Sequence, residues 1–433
     1  MKVSMTALGC AKNQVDSERM LFMLREMGHE ITDAQHAEAV IVNTCGFIDP
    51  AKEESIDAIF SAVKLKEKGV KYVLVTGCLA QRYGKDLLQD IPEIDGIIGV
   101  EQYQNFPRLF TQTVEGRKPF ATARTGESFE CGRVLLTPRY TAYVRIAEGC
   151  DNRCTYCAIP LIRGGYRSIP MDSVLSEMRS LAAGGAREQI LIAQDTSRYG
   201  RDRGIARGLP ELLQKAGEID GIDWLRVLYL YPDDVDKDLI DAMASVKKMC
   251  RYVDIPLQHS VPSLLRAMNR RGDISKIEDT LSYAREKGFC LRTTMIVGFP
   301  GETEEDFDAL CAFISRVQFD RLGAFAYSPE ENTAAAAMPD QVPDDVKQRR
   351  LDTLMTLQAG ISLKRNEGRV GTREQVLVCR KTGDRLFCRS AWEAPDADGW
   401  IIARGSAQPG EMITVKITRA DTYDLYGETE DPS

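Results

Sequence analysis

Long apolar runs are missing from this chain of 433 residues. No stretch approaches the roughly 20 apolar residues of a membrane span, so no membrane association is expected. An excess of positive charge is missing too. Lysine and arginine number 56 against 64 aspartates and glutamates, a formal net charge of −8. That balance argues against an overall basic footprint for nucleic acid, while leaving a local patch open. Histidine is scarce, with three in the chain. No export leader is expected either. Lys2 followed by Val3–Cys10 faintly mimics a secretory or lipoprotein signal, but polar residues resume at Lys12. A signal needs an apolar region of roughly 7–15 residues. The stretch reads as a strand, and a cytoplasmic protein is expected.

Cysteine, by contrast, is plentiful. Twelve thiols in a chain of ordinary composition, 43% hydrophobic and 28% charged, do not resemble a small secreted disulfide scaffold. Reduced thiols and metal ligation fit better. The length suggests about three domains at roughly 150 residues each.

Three of the thiols, Cys150, Cys154 and Cys157, fall within eight residues at Cys-x3-Cys-x2-Cys spacing. An odd number so close together suits a loop wrapped around one object with several soft ligands: zinc or iron–sulfur. A structural zinc would want a fourth Cys or His nearby. The next cysteine is Cys250 and the next histidine is His259. A 4Fe–4S cluster on three cysteines, with one iron left open, fits better.

The first part of the chain, 1–125, alternates strands with helices. Strand-like runs at Val3–Leu8, Ala39–Val42 and Tyr72–Val75 precede helical patterns near Gln14–Met27, Pro50–Lys68 and Gln81–Gln89. This order predicts an open parallel α/β sheet. A cysteine follows each strand: Cys10, Cys45 and Cys78, spaced by 35 and 33 residues. Carboxyl ends of parallel strands line a common crevice. Each thiol alone reads as an ordinary buried cysteine; three at equivalent strand ends read as ligands of a second 4Fe–4S cluster.

A second alternation, 138–365, has strand-like runs at Thr141–Ala147, Gln189–Ala193, Trp224–Leu230, Tyr252–Leu257, Leu291–Val297 and Leu322–Tyr327. Helical patterns between them include Met171–Ala183, Asp234–Met249, Ile274–Lys287 and Glu304–Val317. Six such units fit a partial (β/α)6 barrel, with the cysteine loop after the first strand at the carboxyl end where barrel sites sit. From about 368 to 433, short runs at Gln375–Cys379, Leu386–Cys388, Trp400–Ala403 and Met412–Thr418 alternate with turn sequences. They predict a small antiparallel β-barrel.

The Cys150–Cys157 pattern, with Tyr156 before its last thiol, resembles the signature of radical S-adenosylmethionine (SAM) enzymes. Leu8–Glu18, Asn43–Ile48 and Val75–Leu79 resemble the first domain of the radical-SAM methylthiotransferases. The Lys12-Asn13-Gln14-Val15-Asp16-Ser17-Glu18 form is similar to the branch acting on a ribosomal protein, more than to the tRNA-modifying branch. The C-terminal unit resembles a TRAM domain, and its Ala394–Gly399 and Tyr423–Gly427 segments look like the same branch.

The resemblance implies a radical enzyme that uses two 4Fe–4S clusters and two SAM molecules per product. One SAM would supply the methyl group and the other a 5′-deoxyadenosyl radical. The implied product is a methylthio group on the β-carbon of an aspartate in the twelfth small-subunit ribosomal protein. The alternative is the same chemistry on an adenosine of tRNA. The resemblance further implies SAM contacts from Tyr156, Gln194, Asp195, Gly298 and Pro300, and an electron donor such as flavodoxin or ferredoxin. The segment Gly298–Thr303 departs from the family motif in carrying Thr294 where a glycine usually stands; it also reads as a turn with Thr303 as helix cap.

His259 reads as a structural hydrogen-bonding group or a base. Arg163, Arg167 and Arg198 read either as partners for carboxylates of SAM or substrate or as surface ion pairs. TRAM domains elsewhere commonly bind RNA, yet residues 368–433 hold nine basic against eleven acidic side chains, a net of −2. That balance favours a basic protein partner over direct tRNA binding. Cys131, Cys250, Cys290, Cys311, Cys379 and Cys388 show no ligand spacing and read as buried thiols.

Overall fold

The apolar runs that open the chain bury themselves side by side, because a strand apolar on both faces needs cover on both. In the computed structural model, which describes residues 1–126 and 130–430, they form a six-stranded parallel sheet. Its spatial order is Glu30–Ile31, Lys2–Ala7, Ala39–Thr44, Tyr72–Gly77, Gly96–Ile98 and Phe120–Ala121. The three central strands match the expected ones. The other three are two or three residues long, too short to show alternation.

Six parallel strands follow as two curved sheets. One holds Trp224–Val227, Glu188–Ile192 and Thr141–Arg145; the other holds Tyr252–Asp254, Cys290–Val297 and Arg321–Ala326. An isolated bridge from Leu225 to Met249 and a hydrogen bond from Leu230 N to Asp254 O (2.9 Å) join them into one open barrel. The expected helices at Met171–Ala183 and Glu304–Val317 are as read. The expected Asp234–Met249 helix shrinks to Lys237–Ser245, because Asp236 accepts from Leu239 N and caps it late. A long helix, Asp344–Glu367, packs against the last strand with Lys347, Arg350, Gln358 and Asn366 buried. Polar residues on its core face hid it from a hydrophobic pattern.

The C-terminal strands Arg373–Thr382, Arg385–Ser390, Ile401–Arg404, Met412–Ala420 and Leu425–Thr429 close a barrel. The fifth strand was not anticipated, and it pairs parallel with Ile401–Arg404, so one of the five pairings departs from the antiparallel expectation. Residues 431–433 of this unit lie outside the described residues.

This small barrel plugs the amino end of the larger one. Arg389 forms a two-pronged pair with Glu188 (2.5 and 3.0 Å), the Tyr252 hydroxyl donates to Asp398 (2.7 Å), and the Tyr143 hydroxyl donates to Asp396 (3.2 Å). Glu393 is buried between Arg321 and Arg369. Two of the tail's acids, Glu393 and Asp398, therefore point inward, with Arg369 and Arg389 beside them, while Asp396 stays exposed. Acids and bases are buried here in equal number, so the excess of acid seen in the sequence is not removed. Among the described residues, no helix is long and apolar enough to cross a membrane.

Candidate active site

Two groups of thiols flank the seam between the first sheet and the barrel, linked through Arg163. In the first sheet, Cys10 caps the helix Ala11–Glu26, Cys45 follows the strand Ala39–Thr44, and Cys78 opens the helix Cys78–Asp90. Adjacent strands in register deliver their ends to one place. Gly77 allows the closest approach: at φ +97° its backbone lies where a Cβ would meet Thr44 O at 2.4 Å. A Cβ on Gly9 would stand 3.0 Å from Cys45 Sγ, which puts the Cys10 loop against Cys45.

The second group sits on the loop after Thr141–Arg145. Gly149 (φ +77°) lets the loop pass over Gly165, whose carbonyl would be 2.1 Å from any Cβ there. Cys150 N donates to Gly164 O and Cys157 N to Cys154 O. The loop is also strapped to the end of the helix Pro262–Ala267. Thr155 N donates to Met268 O, Thr155 Oγ1 to Ala267 O, and Asn269 Nδ2 to the carbonyls of Asn152 and Arg153. Such backbone anchoring pre-sets three thiols for one object.

Burial raises the thiol of Cys78 to about 12 and that of Cys150 to about 11. Ligation needs thiolates, so positive charge must enter each pocket to offset that cost, as iron would. Among the described residues no three Cys, His, Asp or Glu side chains converge closely enough for a single metal ion. Thiolate sulfur is the soft donor that iron–sulfur clusters take. The donor sets fit the iron–sulfur expectation.

A buried ion-pair node joins the two groups. Arg163 contacts Asp16 Oδ2 (2.9 Å), Asn13 Oδ1 (2.5 Å), Glu148 Oε2 (3.1 Å) and Cys78 Sγ (3.5 Å). Arg145 also pairs with Asp16 and with Glu148 (2.8 Å). Burial would raise the Glu148 carboxyl, but the two guanidiniums hold it down to about 2. Arg163 is thus no surface residue. The sequence signal for the node was the Asn13–Asp16 segment, whose partners lie about 130–150 positions away and could not be inferred.

Arg270, also unanticipated, does for the second group what Arg163 does for the first. Its Nη1 lies 3.7 Å from Cys154 Sγ and 3.2 Å from the Tyr156 hydroxyl, and its guanidinium stacks on Tyr231. Tyr156 is therefore tied to the cysteine loop.

Gln194 donates to Glu148 (2.9 Å) and leaves its buried Oε1 unpaired. Asp195 accepts from Asn152 (2.8 Å) and Ser197 (2.5 Å), while burial raises its carboxyl. Both stand at the carboxyl end of Glu188–Ile192, beside the loop. The Gly298 and Phe299 amides are taken by Glu302 (2.8 and 3.3 Å), and Pro300 is buried next to them. Thr303 and Asp306 form a capping box, so the turn-and-cap reading of this segment holds. Arg167 lies 3.4 Å from Glu101. Arg198 donates to Asn152 (3.3 Å) and lies 4.0 Å from Asp234, in the wall of a cleft of about 1050 Å³ that also includes Asp151 and Tyr231.

His259 is structural. It is fully buried, its Nδ1 accepts from Val261 N (3.1 Å), and burial lowers its pKa to about 4. Cys250, Cys290 and Cys388 are buried; Cys131, Cys311 and Cys379 are partly so.

Comparison with known proteins follows the same division. Residues 2–99 match the Uncharacterized protein family UPF0004, 144–314 the Radical SAM superfamily, and 370–429 the TRAM domain. A Geobacter sulfurreducens protein, "Ribosomal protein uS12 methylthiotransferase RimO", is 45% identical over 440 residues, spanning 99% of this chain and 98% of the relative. The protein of that name from Pelotomaculum thermopropionicum is 46% identical, spanning 99% of each.

The chain belongs to the RimO family.

Membership makes it a radical SAM methylthiotransferase, which implies a 4Fe–4S cluster and SAM. Among solved structures, the radical SAM methyltransferase TsrM from Kitasatospora setae has a TM-score of 0.57 at 16% identity, covering 88% of this chain and 79% of that one. The cobalamin-dependent radical enzyme OxsB gives 0.51 at 11%, covering 82% and 56%. These distant likenesses concern the fold alone.

Proposed function

We propose that this enzyme places a methylthio group on the β-carbon of an aspartate in ribosomal protein uS12. Cys150, Cys154 and Cys157 hold one 4Fe–4S cluster with an open iron; Cys10, Cys45 and Cys78 hold a second. When bound, these groups supply one-electron cleavage of SAM and a mounting point for sulfur. The protein positions and shields them. Tyr156, Gln194, Asp195, Gly298 and Pro300 surround SAM: Gln194 offers its free Oε1 as an acceptor, and the others shape the pocket. The work divides among residues 1–125 (sulfur), 138–365 (radical) and 368–433 (a TRAM-like cover on the barrel's amino end). Flavodoxin or ferredoxin supplies the electron, in the cytoplasm.

The observation that carries this reading is the Arg163 node, which couples the two thiol groups through Asp16, Glu148 and Cys78. A lone radical generator needs no second thiol group beside it. The substrate follows from the relatives' printed activity. The test presents the reconstituted enzyme with uS12 and tRNA and analyses both by mass spectrometry. Methylthiolation of the uS12 aspartate is expected; a methylthio nucleoside with unmodified uS12 would overturn the assignment.

A further inference from the structure

Among the described residues, the buried cations around the two thiol groups have anionic or acceptor partners, with one exception. Arg145 and Arg163 share Asp16 and Glu148. Lys12, in the first turn of Ala11–Glu26 and two residues after Cys10, is 7% exposed. Among the described residues its ammonium has neither a carboxylate within ion-pair distance nor a hydrogen-bond acceptor. Its one neighbour of note is the face of Tyr229, with Nζ 3.1 Å from the ring centre.

The usual partner on a helix is the acid four residues on. Here that is Asp16, and it is engaged by Arg145 and Arg163. A cation–π contact offsets only part of what an ammonium loses on leaving water. The arrangement thus keeps a positive charge in reserve.

Its position is informative. Tyr229 follows the strand Trp224–Val227 at the barrel's carboxyl end. It is held at φ +64° by Asp254, which accepts from its amide (3.0 Å), and by Thr196 N, which donates to its carbonyl (3.1 Å). Thr196 directly follows Gln194 and Asp195. Cys10 is exposed and Tyr229 is partly so, and Lys12 lies between them, where the first thiol group's helix meets the barrel.

We infer that Lys12 binds the side-chain carboxylate of the substrate aspartate. This rests on the aspartate-directed function proposed above. A carboxylate seated on Lys12 fixes the β-carbon one bond away, between the radical source and the sulfur site, as positioning for transfer requires. It also gives a reason for choosing aspartate over asparagine, since a neutral amide leaves the buried ammonium unpaired.

The test measures binding and KM for uS12, and for uS12 with its target aspartate changed to asparagine, on wild type, Lys12→Met and Lys12→Arg. Wild type should prefer aspartate. Lys12→Met should raise Kd and KM for the aspartate protein about tenfold to hundredfold, more than it raises KM for SAM. It should erase the preference over asparagine, and Lys12→Arg should retain most of it. Equal binding of both proteins by wild type would overturn the inference without any variant. So would undiminished discrimination in Lys12→Met, or a loss falling on SAM. Wild type that leaves uS12 unmodified would overturn the function and this inference together.

Discussion

Arg163, carried by the barrel, points a guanidinium nitrogen at Cys78 Sγ in the first sheet from 3.5 Å. The same side chain bridges Asp16 and Glu148, and Glu148 begins the loop that bears the other three thiols. One arginine therefore registers two sites that are remote in sequence.

Replacing it should loosen both. Arg163→Gln leaves two buried carboxylates dependent on Arg145, and removing one partner of such a network costs about 3–5 kcal/mol. Denaturant unfolding measures this, and a loss below about 1 kcal/mol would contradict the node. Removing a positive hydrogen-bond donor from a ligand sulfur also favours the oxidised state. The midpoint potential of the cluster proposed on Cys10, Cys45 and Cys78 should fall in Arg163→Gln and fall less in Arg163→Lys.

The two thiol groups should separate by variant. Cys10→Ala, Cys45→Ala or Cys78→Ala should lower the iron content of anaerobically reconstituted protein from about eight per chain to about four. Iron analysis that stays near eight would remove the second cluster. Cys154→Ala should abolish reductive SAM cleavage, read as loss of deoxyadenosine.

Acid should open the seam between the two barrels. Burial alone would raise the Glu188 carboxyl, but Arg389 and Arg226 bring it down from 4.5 to about 2. A folded-state pKa below the unfolded one means stability that is complete above 4.5 and lost as pH falls toward 2. Thermal midpoints should drop across that window in wild type. Glu188→Gln, already lacking the Arg389 pair at neutral pH, should start lower and change less.

The six barrel strands and the α/β character of the first unit were legible because each depends on local pattern: apolar runs and turn residues. The helix Asp344–Glu367 and the strand Leu425–Thr429 were not. The first buries polar side chains whose partners are distant; the second is defined by its pairing with Ile401–Arg404 and Met412–Ala420.

The charged residues show the divide most clearly. Sequence alone determined that thiols recur at strand ends and that Lys12, Asp16 and Arg163 are present. Only the tertiary structure decided that Asp16 turns to Arg145 and Arg163, leaving Lys12 on the face of Tyr229. It also decided that Glu393 and Asp398 turn inward rather than out to a partner. A charge's partner is set by which surfaces meet when the domains pack, and burial makes that choice matter: the same pair that contributes little in water is strongly coupled where water is excluded.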